Sequence, residues 1–266
     1  MQIIPYGEDQ NLLVSRDISQ LERMETMRRD FIANVSHELK TPLTVVAGFS
    51  EMLADDYAAC SEEEIAHYLK LICEQNARMQ RLIEDLLTLS SLETGSSAPI
   101  EERVPVAPML QSILADAQAL SAGRHEITLA VDEQTVIRGC ANELRSAFGN
   151  LAGNAVRYTP QGGKIDLAWR LRDGSAEFVV TDTGIGIAPQ HLPRLTERFY
   201  RVDRSRSRET GGTGLGLAIV KHVLTRHHAT LEIESEAGKG SRFIARFPST
   251  VLLAADAADP ISKSRN

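Results

Sequence analysis

Four groups of side chains combine types and spacings that suit chemistry at phosphate. His37 stands between Ser36 and Glu38 in the run Phe31 to Thr44, where Phe31, Val35, Leu39 and Leu43 recur every four residues. That recurrence is the apolar stripe of an amphipathic helix. At about 100° per residue, His37 falls roughly opposite the stripe and Thr41 lies within about 40° of it. The helix is thus expected to hold an imidazole nucleophile and a hydroxyl on its wet side, with Glu38 placed to take or orient a proton. Asn150, Asn154 and Arg157, spaced by four and three, share one helical face. Amide oxygens suit a hard cation such as Mg2+, and a guanidinium holds phosphate. Asp182 ends an expected strand and is followed by Gly184 and Gly186, where backbone can approach a ligand closely. Gly211 to Leu217 opens an expected helix, whose first amides form an anion site. No Gly-Lys-Ser/Thr follows it, so it is not a Walker loop, and it lacks the dinucleotide fingerprint after a strand. Each group alone has a plainer reading: a surface histidine, a solvated polar face, an ordinary loop.

The elements that must position these groups follow from periodicity and punctuation. Gln2–Tyr6 and Asn11–Ser15 read as two strands around a turn at Gly7 to Gln10. Asp17 with Gln20 has capping-box spacing, so a long helix is expected to run through Ile18, Leu21, Met24 and His37 to about Asp56, kinked by Pro42. Tyr57 to Cys60 connects it to a second capping box, Ser61 with Glu64. Ile65, Leu69, Ile72, Met79, Leu82, Leu86 and Leu89 then mark a helix ending near Gly95. Two such helices form an antiparallel hairpin, and one hairpin buries too little for its length, so a pair is expected to make a symmetric four-helix bundle.

Ser96 to Pro99 reads as a domain boundary. Beyond it helices are expected over Val106–Leu120, Asn142–Arg157 and Leu215–Arg226. Strands are expected at Glu126–Val131, Thr135–Arg138, Lys164–Leu171, Glu177–Asp182, Leu231–Glu234 and Arg242–Phe247. Asp173-Gly174 supplies a hairpin turn. Ser249 to Asn266 is expected to be a disordered tail.

Composition narrows the class. The formal net charge of −7 argues against nucleic-acid binding, which needs a basic surface. No run of about 18 apolar residues occurs, so nothing here is expected to span a bilayer, and the N-terminus lacks the pattern of a signal peptide. Cys60, Cys73 and Cys140 show no metal-ligand or Cys-x-x-Cys spacing and suit a packing role in a reducing compartment.

Taken together, the motifs resemble those of sensor histidine kinases of two-component systems. Ser36 to Leu43 matches the phospho-acceptor box at eight consecutive positions, and Asn150 to Thr159 matches the Asn box. Asp182 to Ile187 matches the first glycine box, Glu197 to Arg201 the Phe box, and Gly211 to Leu217 the second glycine box. The boxes occur in order and cover roughly residues 30 to 247. The run from Leu195 to Arg208 further resembles the phosphate-sensing branch of the family, and residues 1–17 resemble the last hairpin of a PAS sensor domain whose front half would lie upstream.

The resemblance implies an α+β protein of two domains: a dimeric helical hairpin over 18–95, and over 100–248 an α/β sandwich of the gyrase, Hsp90 and histidine-kinase type. It implies phosphorylation of His37 by ATP and transfer to an aspartate of a response regulator of the phosphate-regulon type, with Glu38 and Arg201 assisting and Thr41 serving a phosphatase activity. ATP would be held by Asn150, Asn154, Arg157, Tyr158, Asp182, Gly184, Gly186, Gly212, Thr213, Gly214, Leu215 and Gly216, with Asn154 the Mg2+ ligand and Asp182 accepting from the adenine amino group. Val202 to Thr210 would form a lid. The chain itself would be cytoplasmic, with a membrane anchor only through a region upstream. Two rivals stand beside this reading. A conformational ATPase shares the nucleotide fold but lacks an acceptor histidine. A non-catalytic dimeric scaffold would not need intact Asn and glycine boxes.

Overall fold

The computed structural model describes residues 2–6, 10–14, 17, 19–56, 60–94, 102–132, 135–172, 174–202 and 212–253; for 2–14 and some positions between 20 and 28 it describes the backbone alone. The turn at Gly7, the side chains of Ile18, Leu21 and Met24, the boundary at 96–99, the turn position Asp173, the lid beyond Val202 and the tail from 254 lie outside the described residues. The chain divides into two compact units, Met1–Met79 and Gln80–Asn266.

In the first unit, strands β1 (Gln2–Tyr6) and β2 (Gln10–Val14) pair antiparallel from Gln2↔Val14 to Tyr6↔Gln10. Helix α1 (Ser19–Asp56) begins where the Ser19 amide donates to Asp17 Oδ1 at 2.9 Å. It runs unbroken through Pro42, which is buried. Helix α2 (Glu62–Thr94) opens on the expected capping box. The Ser61 amide donates to Glu64 Oε2 at 2.9 Å, and the Glu64 amide donates back to Ser61 Oγ at 3.3 Å. Phe49 stacks on Tyr68 at 5.1 Å, and Arg78 reaches Glu38 at 3.0 Å. These pairs join the helices in opposite chain order, so they are antiparallel. The stripe is not wholly covered: Leu43, expected inside, is 58% exposed, as is 55% of Ile32 and 50% of Leu69. Cys73 is exposed, whereas Cys60 and Cys140 are half-buried, as a packing role would require.

The second unit is built on a five-stranded mixed sheet in the order β4-β6-β7-β9-β8, where β4 is Glu126–Val131, β6 Lys164–Arg172, β7 Ser175–Asp182, β8 Thr230–Glu236 and β9 Gly240–Phe247. Only β4 and β6 run parallel; the other pairs are antiparallel. Helices α3 (Val106–Ser121), α4 (Ala141–Tyr158) and α5 (Gly216–Arg226) cover one face. Under α4, Phe148 meets Phe178 at 4.4 Å and Phe247 at 5.9 Å, with Trp169 fully buried beside them. Such rings dominate the burial energy of a small core. The other face carries ion pairs, Arg246 with Glu177 and Glu232, and Arg242 with Glu234.

Three parts of this unit differ from the sequence expectation. Glu102–Pro105 forms a strand, β3, pairing antiparallel with β5 (Val136–Gly139). Its four residues carry one buried apolar side chain, too little for a pattern. Pro189–Arg194 is a 3-10 turn. The start of the expected disordered tail is ordered: Ser249–Val251 turns and β10 (Leu252–Leu253) pairs with β5, with Val251 buried. Backbone pairing to an open edge does not show in side-chain composition.

Candidate functional site

Helix α4 is the wall that places four of the expected side chains. Leu144, Phe148, Leu151 and Ala155 are buried against the sheet, which turns Asn150, Asn154 and Arg157 to a different side. That side lines a cavity of about 820 Å³ in the second unit. Asn150 Nδ2 donates to Ser146 O at 2.9 Å, leaving its Oδ1 on the α5 side, where a Cβ on Gly216 would stand 2.5 Å away. Burial, and then the charge of Arg81, push the Arg157 guanidinium below its ordinary value. An anion in the cavity would relieve both effects.

Asp182 closes β7 at 6% exposure. Its Oδ1 accepts from the Gly184 amide at 2.8 Å. Burial pushes its carboxyl up, partly offset by the amides of Gly184 and Ser241. Here the glycines are required. A Cβ on Gly184 would lie 2.5 Å from Tyr158 O, and Gly186 has φ 63° with its Cα against the Glu236 carbonyl. The Ile185 amide donates to Tyr158 O at 3.1 Å, tying this loop to the end of α4.

The second glycine-rich stretch enters α5 through Gly214, with φ 74°. Thr213 Oγ1 accepts from the Leu215 amide at 3.2 Å. The Phe199 amide donates to Gly214 O at 2.9 Å, and the Arg201 guanidinium donates to Gly212 O.

The cavity therefore gathers Asn150, Asn154, Arg157, Tyr158, Asp182, Gly186, Arg201, Gly212, Thr213, Gly214 and Gly216 from four separated stretches. Gly184 and Leu215 are buried behind it and do not line it. Sequence reasoning missed Arg81, Glu84 and Asp85, which line it as well. Asp85 accepts from Thr213 Oγ1 at 2.6 Å, and its burial pushes its carboxyl up. No local signal marks these residues, since they occupy the polar side of α2. Tyr200 is another lining residue not singled out.

His37, Glu38 and Thr41 belong to the first unit. His37 is exposed, as the stripe argument requires. Glu38 is held by Arg78, with side chains 22% and 11% exposed. Thr41 Oγ1 donates to the His37 carbonyl at 3.1 Å, and Thr44 Oγ1 donates to that of Lys40 at 2.9 Å.

Two family models match the chain. Residues 27–95 match the His Kinase A (phospho-acceptor) domain, and residues 139–251 match the histidine kinase-, DNA gyrase B-, and HSP90-like ATPase. The phosphate regulon sensor protein PhoR of Pseudomonas aeruginosa is 50% identical over 256 residues, 96% of this chain. The chain belongs to the sensor histidine kinases. The PhoR of Haemophilus influenzae is 39% identical over 90% of the chain. This chain spans 58% and 55% of the length of those two relatives. Among solved structures, the Acinetobacter baumannii histidine kinase AdeS superposes with a TM-score of 0.64 over 80% of this chain and 98% of its own, at 22% identity, a likeness of fold. The lining of the cavity from Asn142 to Phe243 falls within the ATPase match, whereas Arg81, Glu84 and Asp85 fall, with His37, within the phospho-acceptor match. Among the described residues no helix is long and apolar enough to cross a membrane.

Proposed function

We propose that this chain phosphorylates His37 with ATP and passes the phosphoryl group to an aspartate of a response regulator in phosphate-starvation signalling. The observation that carries the proposal is the single cavity in which a buried carboxylate, two glycine-bounded loops, a desolvated guanidinium and two amides converge. These groups fit Mg-ATP. Asp182, an acceptor only, suits the adenine amino group and repels the oxygen found there in guanine. Arg157 and Arg201, with the Gly212–Gly216 backbone, suit a triphosphate. Asn154 would hold Mg2+ through its amide oxygen, and the cation would neutralise charge on the phosphates.

In the reaction, a ring nitrogen of His37 forms a bond to the γ-phosphorus as the bond to the ADP oxygen breaks in line. Positioning and charge neutralisation supply most of the acceleration, with Arg201 set against the γ-phosphate. Glu38 accepts a hydrogen bond from the other ring nitrogen, and its ion pair with Arg78 fixes its place. The phosphate-specific role draws on PhoR identity. A homodimer through the helical hairpin, a PAS-like sensor beginning before β1 and a membrane anchor in the remaining length of the protein belong to the same proposal. So do the domain bounds 18–95 and 100–248. The match of residues 27–95 to a phospho-acceptor model disfavours the conformational ATPase.

The test is incubation with γ-labelled ATP. Wild-type protein is expected to gain acid-labile phosphate. His37→Gln should gain none while its ATP affinity stays within about twofold, because the acceptor side chain is not in the cavity. Phosphohistidine persisting in that variant would refute His37 as the acceptor.

A further inference from the structure

One end of the cavity is held by side chains to which the proposed reaction gives no part. The 3-10 turn Pro189–Arg194 carries His191, whose Nδ1 lies 2.7 Å from the Tyr200 hydroxyl. Arg194 lays its guanidinium 4.3 Å over the same ring and is forked by Glu197, with two contacts at 3.1 Å. Tyr200 is thus held at its tip by a hydrogen bond and on its face by a cation. The turn itself is anchored: the Ile187 amide just before it donates to Ser235 Oγ at 2.8 Å on β8.

On either side of Tyr200 the chain is stitched to the phosphate-binding loop. Phe199 has φ 60°, a left-handed value that costs a phenylalanine energy. Its amide donates to Gly214 O, and the Arg201 guanidinium reaches Gly212 O. Gly214 packs so closely here that an added Cβ would stand 3.0 Å from Phe199 Cα and 3.3 Å from Arg201 Nε. Strained backbone persists only where its surroundings over-determine it. The direction of Arg201 depends on the backbone of Phe199 and Tyr200, and the Tyr200 side chain is anchored outside the loop by His191 and Arg194.

We infer that the His191–Tyr200 hydrogen bond, with Arg194 on the ring, positions Arg201. It fixes residue 200, keeps Phe199 left-handed and so aims the Arg201 guanidinium at the γ-phosphate. His191 and Tyr200 are positioning residues in this scheme, and the inference rests on the proposed role of Arg201. Because only the γ-phosphate end is affected, loss of the clamp should lower the rate of transfer and leave the binding of ADP alone.

The experiment measures the initial rate of His37 labelling against ATP concentration, and ADP affinity, on the full chain. Tyr200→Phe keeps the ring and its cation but lacks the hydroxyl. This variant and His191→Leu are each expected to lower the maximal rate about five- to tenfold, the effect of one lost hydrogen bond. ADP affinity should stay within about twofold, which also shows that the domain is folded. His191→Gln, whose amide can still meet the hydroxyl, should recover much of the rate. Adding Tyr200→Phe to Arg201→Ala should cost nothing further, since both act through one guanidinium. Multiplying losses in the double variant, or equal loss of ADP and ATP affinity, would overturn the inference. A labelled wild type with an unchanged Tyr200→Phe would overturn it alone. A wild type that gains no phosphohistidine would sink the proposed function and this inference with it.

Discussion

At the scale of single residues, the proposed role of Asp182 in recognition is set against a cost in stability. Its folded-state carboxyl lies above the ordinary value of 3.8 because it is buried. A raised acid favours folding below its unfolded value, and that contribution is lost as pH rises through the folded value. Above that folded value Asp182 is an ionised buried group that works against the fold. Asp182→Asn should raise the thermal midpoint at pH above the folded-state value, and the gain should shrink as pH falls below 3.8, where the carboxyl becomes protonated in both states. Calorimetry across that range checks the sign. Asp182→Ala removes a charged acceptor worth about 1.5–3 kcal/mol, so ATP affinity should fall by about ten- to a hundredfold while GTP, bound weakly at best, changes much less. Equal losses for both nucleotides would show that the carboxylate does not read the base.

Thr41 is the second residue whose role separates cleanly. Its hydroxyl donates to the His37 carbonyl, so its lone pairs remain available on the side of α1 where His37 is exposed. A regulator docked there would bring its phospho-aspartate near an acceptor able to align a water. Thr41→Ala keeps helix propensity and removes the hydroxyl. Labelling of His37 should stay near normal, with dephosphorylation of the regulator falling about tenfold or more. A wild-type rate of phosphate loss from the regulator would leave Thr41 as a helix residue beside Pro42 and nothing more.

At the scale of elements, the site depends on loops that touch other backbone. Gly186 combines φ 63° with direct contact to the Glu236 carbonyl at the end of β8. Gly186→Ala must either distort this loop or push β8 away, and Asp182 lies only four residues earlier. A fall in ATP affinity of about tenfold or more and a lower thermal midpoint are expected. Isothermal titration and a melting curve on the same sample measure both, and unchanged values would mean that the loop relaxes freely. Helix α4 shows the complementary case. Its buried stripe and its Asn150, Asn154 and Arg157 face follow from one 3.6-residue period, so here element and site are set by the same pattern.

At the scale of the whole molecule, one copy leaves apolar surface bare. Leu69, Ile83 and Leu87 are 50%, 48% and 66% exposed, and their spacings of fourteen and four place them on one stripe of α2. Ile32 and Leu43, eleven residues apart, make a second stripe on α1. Stripes of this kind mark an interface, and two copies of a helical hairpin closing into a four-helix bundle would cover them. Light scattering should find a dimer for wild type. Leu69→Glu with Ile83→Glu should give a monomer that still binds ATP, since neither residue lines the cavity. A monomeric wild type would remove the bundle from the proposal.

Sequence alone determined whatever depends on local period and local chemistry. The capping box at Ser61 and Glu64, the strand Glu126–Val131, the stripe that exposes His37 and the polar face of α4 all repeat or close within a few residues, so their physics is complete in the sequence. The motifs that mark the family are local in the same sense. Only tertiary structure decided what depends on distant chain segments meeting. The strands β3 and β10 exist because β5 offers them backbone partners. Asp85 meets Thr213 across 128 positions, and no property of either residue announces the other. The clamp on Tyr200 draws on a 3-10 turn too short to leave a period. Leu43 was placed inside by its spacing, yet it is exposed in one copy, because helical periodicity shows which residues share a face and not what covers it.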